Sequence, residues 1–191
     1  TPLYVGNTVG NEFMCTTTVA GYNNRGEKVA LTAGHCGNVG DAVRSADAWQ
    51  LGRTGTITHV NKQLDYAVIT LAPNTEVTRS YNGVTANHLG GAPIPRGGVV
   101  CKTGVASGTT CGYTISDWDT RNTNHVCAMQ GDSGAPLMVG DRVIGMVNGG
   151  MWAPPFNVSC RTPLQGPLHA PTGSLRMDSA LGDMPDGFRL P

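Results

Sequence analysis

The sequence predicts an all-β protein, and three observations carry that prediction. Short apolar stretches recur along the chain with Gly, Asn and Thr between them. Glycine is abundant, at 27 residues, which suits many tight turns. Aromatic residues are scarce, and only one late stretch offers a helix. In the first half the apolar runs place strands at 13–20, 28–32, 55–60 and 66–71. In the second half they place strands at 98–103, 111–116, 126–129, 136–139 and 142–147. The late helix, 174–181, has only Leu175, Ala180 and Leu181 as an apolar stripe. Many short strands joined by turns read as a sandwich or barrel.

At 191 residues the chain can bury a real core, as one compact unit or two small ones in close contact. The softest boundary lies at 72–95, where Pro73, Asn74, Gly83, Gly90, Gly91, Pro93 and Pro95 cluster. It separates halves of similar size. Lys plus Arg and Asp plus Glu number 13 each, and no basic stripe is present, which argues against a nucleic-acid partner. No apolar run approaches the ~18 residues of a membrane span. The chain begins at Thr1, which suits a processed secreted protein or a trimmed one.

Three strings carry chemistry. Leu31-Thr32-Ala33-Gly34-His35-Cys36 comes first, Asp65-Tyr66-Ala67-Val68-Ile69 next, and Gly131-Asp132-Ser133-Gly134-Ala135-Pro136 last. A serine hydroxyl is a poor nucleophile at neutral pH. It needs an imidazole to take its proton, and the imidazole needs a carboxylate to fix its tautomer. His35 suits the base, Ser133 the nucleophile and Asp65 the orienter. Asp41 and Asp47 are closer to His35 in sequence, but only Asp65 opens an apolar run that would bury it. The reaction class is covalent acyl transfer, most simply peptide-bond hydrolysis. His59, His88, His125 and His169 lack such a context and read as surface or turn residues. His125 is a partial exception, because it closely precedes Cys127. Six cysteines allow fifteen pairings. They offer no CxxC, and the histidines no His-x₃₋₅-His, so no metal site and no cofactor are expected.

On these three strings and the matching cysteines, the chain resembles the chymotrypsin-like serine proteases, specifically the secreted bacterial branch of streptogrisin and α-lytic protease. The resemblance spans roughly 11–165. It implies two six-stranded antiparallel β-barrels with the site in the cleft between them, and a short C-terminal helix or tail. The domains would be 1–85, carrying His35 and Asp65, and 86–172, carrying Ser133, followed by a tail at 173–191. The resemblance also implies the disulfides Cys15–Cys36, Cys101–Cys111 and Cys127–Cys160, hence an oxidising, secreted or cell-envelope location. It implies an oxyanion hole from the N–H groups of Gly131 and Ser133. Bacterial members use a basic residue to hold the aspartate beside the nucleophile, and Lys102 stands at that position. A buried or half-buried Lys102–Asp132 pair is therefore expected. A polypeptide substrate and a monomeric state complete the expectation.

The pattern departs from the family in three places. Ala135 replaces a customary glycine. Asn148 replaces a serine whose hydroxyl donates to the triad aspartate; its amide can reach Asp65 instead. A tail rich in Pro and Asp follows Cys160, in the manner of a strap crossing a surface. The primary pocket would be shaped by Ala128, Met129, Gln130, Val147, Gly150 and Met151. None is acidic or basic, which favours apolar substrate side chains. Asn148, Gly149 and Gly150 suit an edge on which an extended peptide adds as a strand. Asn157-Val158-Ser159 matches a glycosylation acceptor. The rival readings are a protease-like binding module with little or no turnover, kept alive by Asn148 and Ala135, and an esterase. The esterase lacks support, since Gly-x-Ser-x-Gly is absent.

Overall fold

A computed structural model describes residues 2–6, 12–45, 52–81, 83–150, 158–165 and 168–191, and among these it holds sixteen strands and one short α-helix. The strands of the first half are β1 (Pro2–Gly6), β2 (Glu12–Thr16), β3 (Ala20–Tyr22), β4 (Lys28–Thr32), β5 (Ala42–Ser45), β6 (Gly55–Asn61) and β7 (Tyr66–Leu71). They form one antiparallel sheet in the order β2-β1-β5-β6-β7-β4-β3. Short strands β8 (Ser80–Tyr81), β9 (Val84–Thr85) and β10 (His88–Leu89) occupy the glycine- and proline-rich connection.

The second half holds β11 (Val99–Gly104), β12 (Gly108–Trp118), β13 (Arg121–Asn124), β14 (Pro136–Val139), β15 (Arg142–Gly150) and β16 (Thr172–Arg176). The order β15-β14-β11-β12-β13-β16 returns to β15, so these six strands close into a barrel. Strand β10 joins the outside of β15 in parallel. Helix α1 (Met177–Asp183) follows β16 directly. No helix among the described residues is long and apolar enough to cross a membrane.

Several expectations shift. The first sheet is not a closed six-stranded barrel: its ladder has seven strands and stays open between β2 and β3. Two main-chain hydrogen bonds span part of that gap, Thr18 N–H to Leu31 O and Leu31 N–H to Val19 O. The expected strand at 126–129 is irregular chain, and the strand lies earlier, at β13. The expected helix at 174–181 starts later, because Thr172–Arg176 is the barrel's closing strand. The boundary at 172/173 thus falls inside β16.

The core has three parts. One lies within the first sheet around Val43, Ile57 and Ile69. A second lies in the barrel around Val100, Val126 and Leu137. The third joins the halves through Leu31, Tyr66, Met138, Met146, Leu175 and Met177. Beyond α1 the tail crosses back to the first half, where Tyr22 and Arg189 exchange main-chain hydrogen bonds at 2.9 and 2.8 Å. Only the end of the expected strap crosses a surface, with contacts from Asp186, Arg189 and Pro191 at β3, Asn24 and Arg79, whereas Thr172–Arg176 is a buried barrel strand.

Candidate active site

His35 sits in a 3-10 turn, Gly34–Cys36, at the end of β4. Cys36 is bonded to Cys15, which anchors that turn to β2. Gly34 packs so closely that a Cβ there would lie 2.9 Å from the main chain of Tyr66. Lys62 clamps the same turn, its Nζ donating to Gly34 O at 2.8 Å and Gly37 O at 2.7 Å. Asp65 ends the β6–β7 turn with φ of 68°, a backbone that L residues avoid. This twist faces its carboxylate toward His35.

The three side chains converge. His35 Nδ1 lies 2.9 Å from Asp65 Oδ2 and 3.1 Å from Oδ1, and the His35 main-chain N–H donates to Oδ1 at 2.6 Å. His35 Nε2 lies 2.8 Å from Ser133 Oγ. With the proton on Nδ1, Nε2 is free to accept from the serine hydroxyl. Burial pushes the Asp65 carboxyl up, but the hydrogen bonds and charge of His35, with the Arg121 guanidinium, outweigh it and hold it below the usual range. Asp65 is 18% exposed at its side chain and His35 48%, so the base faces the solvent side of the triad.

Ser133 lies in an irregular loop held from behind by the first half. Thr16 N–H donates to Ser133 O at 2.8 Å, Thr16 Oγ1 to Gly131 O at 3.0 Å, and Thr18 Oγ1 to Gly134 O at 2.5 Å. Gly134 has φ of 88°, and a Cβ there would strike Thr16 O and Thr32 Oγ1. Among the described residues neither Gly131 N–H nor Ser133 N–H donates to a protein acceptor. Ala135 is fully buried, its methyl absorbed in the packing.

Lys102 and Asp132 are both fully buried, with Nζ 3.4 Å from Oδ2. Ser107 bridges them: Lys102 Nζ donates to its Oγ at 2.5 Å, and that hydroxyl donates to Asp132 Oδ2. Asp132 also accepts from the N–H groups of Ala106, Ser107 and Met129. Burial holds the Lys102 ammonium below its ordinary range, against the pull of Asp132.

Asn148 reaches Asp65 differently from the family serine. Its Nδ2 donates to the Asp65 main-chain carbonyl at 3.0 Å, and its buried Oδ1 has no partner among the described residues. It is the bulged residue of β15, between Val147 and Gly149. Strand β14 stops pairing at Met146, so on that side no strand among the described residues covers Asn148–Gly150. Val147 is buried beside it, while Ala128 and Met129 are part-buried and Gln130 exposed. Met151 and Asn157 lie outside the described residues. All six cysteines pair as the resemblance implies. His169 is buried, not at the surface: its ring packs 4.3 Å from that of His125, whose Nε2 donates to His169 O.

Five sets of residues at the site were missed in the sequence: Thr16 and Thr18, Lys62, Ser107, Arg121, and Asn61 with Asp183. Only the threonine run beside Cys15 gave a signal. The others act across large sequence separations.

No family model matches the chain. It is 30% identical over 172 residues to the uncharacterized protein Rv1815 of Mycobacterium tuberculosis, covering 80% of this chain and 76% of that protein. It is 32% identical over 151 residues to streptogrisin-A of Streptomyces griseus, covering 70% of this chain and 45% of that protein. The crystal structure of Nocardiopsis protease superposes with a TM-score of 0.70 at 26% identity, covering 93% of each chain. The chain resembles the bacterial chymotrypsin-like serine proteases in fold and sequence. In this chain the closed barrel carries the Ser133 loop, and the open sheet carries His35 and Asp65.

Proposed function

We propose that this chain is a secreted serine endopeptidase that cleaves peptide bonds through an acyl-enzyme on Ser133 and favours apolar side chains in its primary pocket. One observation carries the reading: the unbroken run from the Asp65 carboxylate through His35 to Ser133 Oγ, at 2.9 and 2.8 Å. In this reading the first-half sheet and the β11–β16 barrel act as the two domains, and the substrate lies between them.

A peptide pairs as an added strand along Asn148–Gly150. Ser133 Oγ attacks the scissile carbonyl carbon as His35 Nε2 takes the hydroxyl proton. The carbonyl oxygen becomes an oxyanion, received by the N–H groups of Gly131 and Ser133. Asp65 stabilises the imidazolium without taking its proton. His35 then gives the proton to the leaving amine, the C–N bond breaks, and the acyl group stays on Ser133. Water attacks the ester by the same route in reverse, releasing the acid and restoring the hydroxyl.

The pocket carries Ala128, Met129, Gln130, Val147, Asn148, Gly149 and Gly150, with no formal charge, which supports the apolar preference. Three disulfides and the family resemblance support an extracytoplasmic location. The test is labelling with a fluorophosphonate probe. Wild type is expected to label, and Ser133→Ala and His35→Ala not. A peptide library then reads the primary pocket. Folded wild-type protein that takes no label overturns the reading.

A further inference from the structure

The turn that carries Asp65 is fastened to a helix that touches no reacting atom. Asp65 N–H donates to Asn61 O at 2.8 Å, and Leu64 N–H donates to Asn61 Oδ1 at 3.0 Å. These bonds close the turn and leave the Asn61 Nδ2 pointing outward. It donates to Asp183 Oδ2, at the last residue of α1, at 2.8 Å. The hydroxyl of Tyr66, next in the chain after Asp65, donates to the same oxygen at 2.6 Å. A single carboxylate oxygen therefore gathers both ends of the turn, residues 61 and 66.

Protonation states suit that role. Burial, then the Asp183 carboxylate, push the Tyr66 phenol well above its ordinary range, so it remains a donor. The Tyr66 and Asn61 hydrogen bonds hold the Asp183 carboxyl below its usual range, so it remains an acceptor. His59 also faces this hydroxyl, with Nε2 at 3.2 Å. Asp65 needs such support because its φ of 68° is one of only two positive values among described non-glycine residues. Without Asp183 the Asn61 amide loses its outer anchor, and only the Leu64 N–H at its Oδ1 then holds the side chain in place. Lys62, on the other side of the turn, holds the histidine segment and not Asp65 itself.

We propose that Asp183 is a positioning residue for the triad: through Asn61 and Tyr66 it holds the Asp65 turn in the one backbone that aims the carboxylate at His35. The C-terminal helix is then part of the catalytic frame. This inference rests on the serine-protease reading.

The test compares the full chain with Asp183→Ala, Asp183→Asn and Tyr66→Phe. One readout is the rate of fluorophosphonate labelling. The other is the low-field proton resonance of His35 Nδ1–H, which reports the bond to Asp65 whether or not the enzyme turns over. Asp183→Ala is expected to label ~10-fold slower or worse, with the proton signal shifted upfield. Asp183→Asn retains an acceptor oxygen and is expected to recover most of the rate. The double variant Asp183→Ala with Tyr66→Phe should be no slower than the slower single. Wild-type labelling and an unmoved proton signal in folded Asp183→Ala overturn the proposal. Should that variant not fold, Tyr66→Phe removes one oxygen from the same contact and takes its place. If wild type itself takes no label, the functional reading fails, and the proton signal alone decides this one.

Discussion

Replacing Lys102 by Met removes the buried ammonium and keeps most of the chain that packs around it. Asp132 is then a fully buried carboxylate without its cation, formerly 3.4 Å away. Breaking a buried pair from one side costs about 3–5 kcal/mol. Asp132 retains the N–H groups of Ala106, Ser107 and Met129 and the Ser107 hydroxyl, which places the loss at the lower end, ~3 kcal/mol. A domain with ~5–15 kcal/mol in hand still folds. Function is more exposed than stability, because Asp132 sits between Gly131 and Ser133. If its carboxylate shifts, the N–H groups on either side lose their aim, and one misdirected oxyanion donor costs about 10²–10³ in kcat. The expected result is kcat down by ~100-fold with KM little changed, while the melting temperature falls by several degrees. Alkaline pH removes the same charge in wild type but leaves an amine that still donates to Ser107 and Gly108, so its effect on stability differs from that of Met. Burial lowers the Lys102 pKa, so in the window below the ordinary lysine range the unfolded chain binds more protons than the folded one. Stability therefore rises with pH there, while the charge that holds Asp132 disappears. Activity and melting temperature should diverge on the alkaline side. A Lys102→Met enzyme that stays folded and turns over within two-fold of wild type refutes the argument.

Three further outcomes follow from the geometry. Gly134→Ala puts a methyl against Thr16 O and Thr32 Oγ1 at a φ of 88°, so it should cost more than ~1 kcal/mol and abolish labelling of Ser133, read by thermal melts and the probe. Asn148→Ser removes the stranded Oδ1, a group of about 1–3 kcal/mol, and brings a hydroxyl toward Asp65; the variant should melt no lower and label a few-fold faster, and slower labelling counts against this account. His169 is held below the ordinary histidine range by burial first and then by the charge of His125, with the Ala170 hydrogen bond opposing. The unfolded chain therefore takes that proton more readily, and stability should fall as pH drops through the ordinary histidine value, ~6.5, toward the folded one; His169→Gln should flatten this part of the melting curve against pH.

Local chemistry and long-range chemistry were unequally legible in the sequence. Strands β4, β7 and β14 fall on their predicted bounds, because each is an apolar run whose neighbours make turns. Strand β13 reads Arg-Asn-Thr-Asn and carries no apolar signal. Asn122 and Asn124 are both buried in it, Asn124 Nδ2 donating to Asn122 Oδ1 at 3.0 Å, an inward polar pair that no residue count reveals. Val126 and Cys127, predicted as strand, are buried by the disulfide and by the Asn124 side chain bonded to Val126 N–H instead. The triad was readable because each member lies in a string whose neighbours have local tasks. Lys102 and Asp132 were readable only through the resemblance. Asp183, Arg121 and Ser107 were not readable, since each acts on a residue brought near only by the finished fold.

The contact that sets the distance between base and nucleophile is therefore not within either string. Thr32 Oγ1 donates to Thr16 O at 2.9 Å, at the end of the strand that leads into the His35 turn. Thr16 in turn donates by its N–H to Ser133 O and by its hydroxyl to Gly131 O. One extended segment, Thr16–Thr18, thus has the histidine turn on one edge and the nucleophile loop on the other. The Thr32 hydroxyl holds the histidine side, and the Thr16 N–H and hydroxyl hold the nucleophile side. The 2.8 Å between His35 Nε2 and Ser133 Oγ is inherited from that splint. The aspartate receives no such bond from it. Its position depends on the turn at Asn61–Tyr66, with Asn148 on one side and α1 on the other. The three side chains are consequently placed by two fixtures, the Thr16–Thr18 splint and the Asn61–Tyr66 turn, which Lys62 links through its bonds to Gly34 O and Gly37 O.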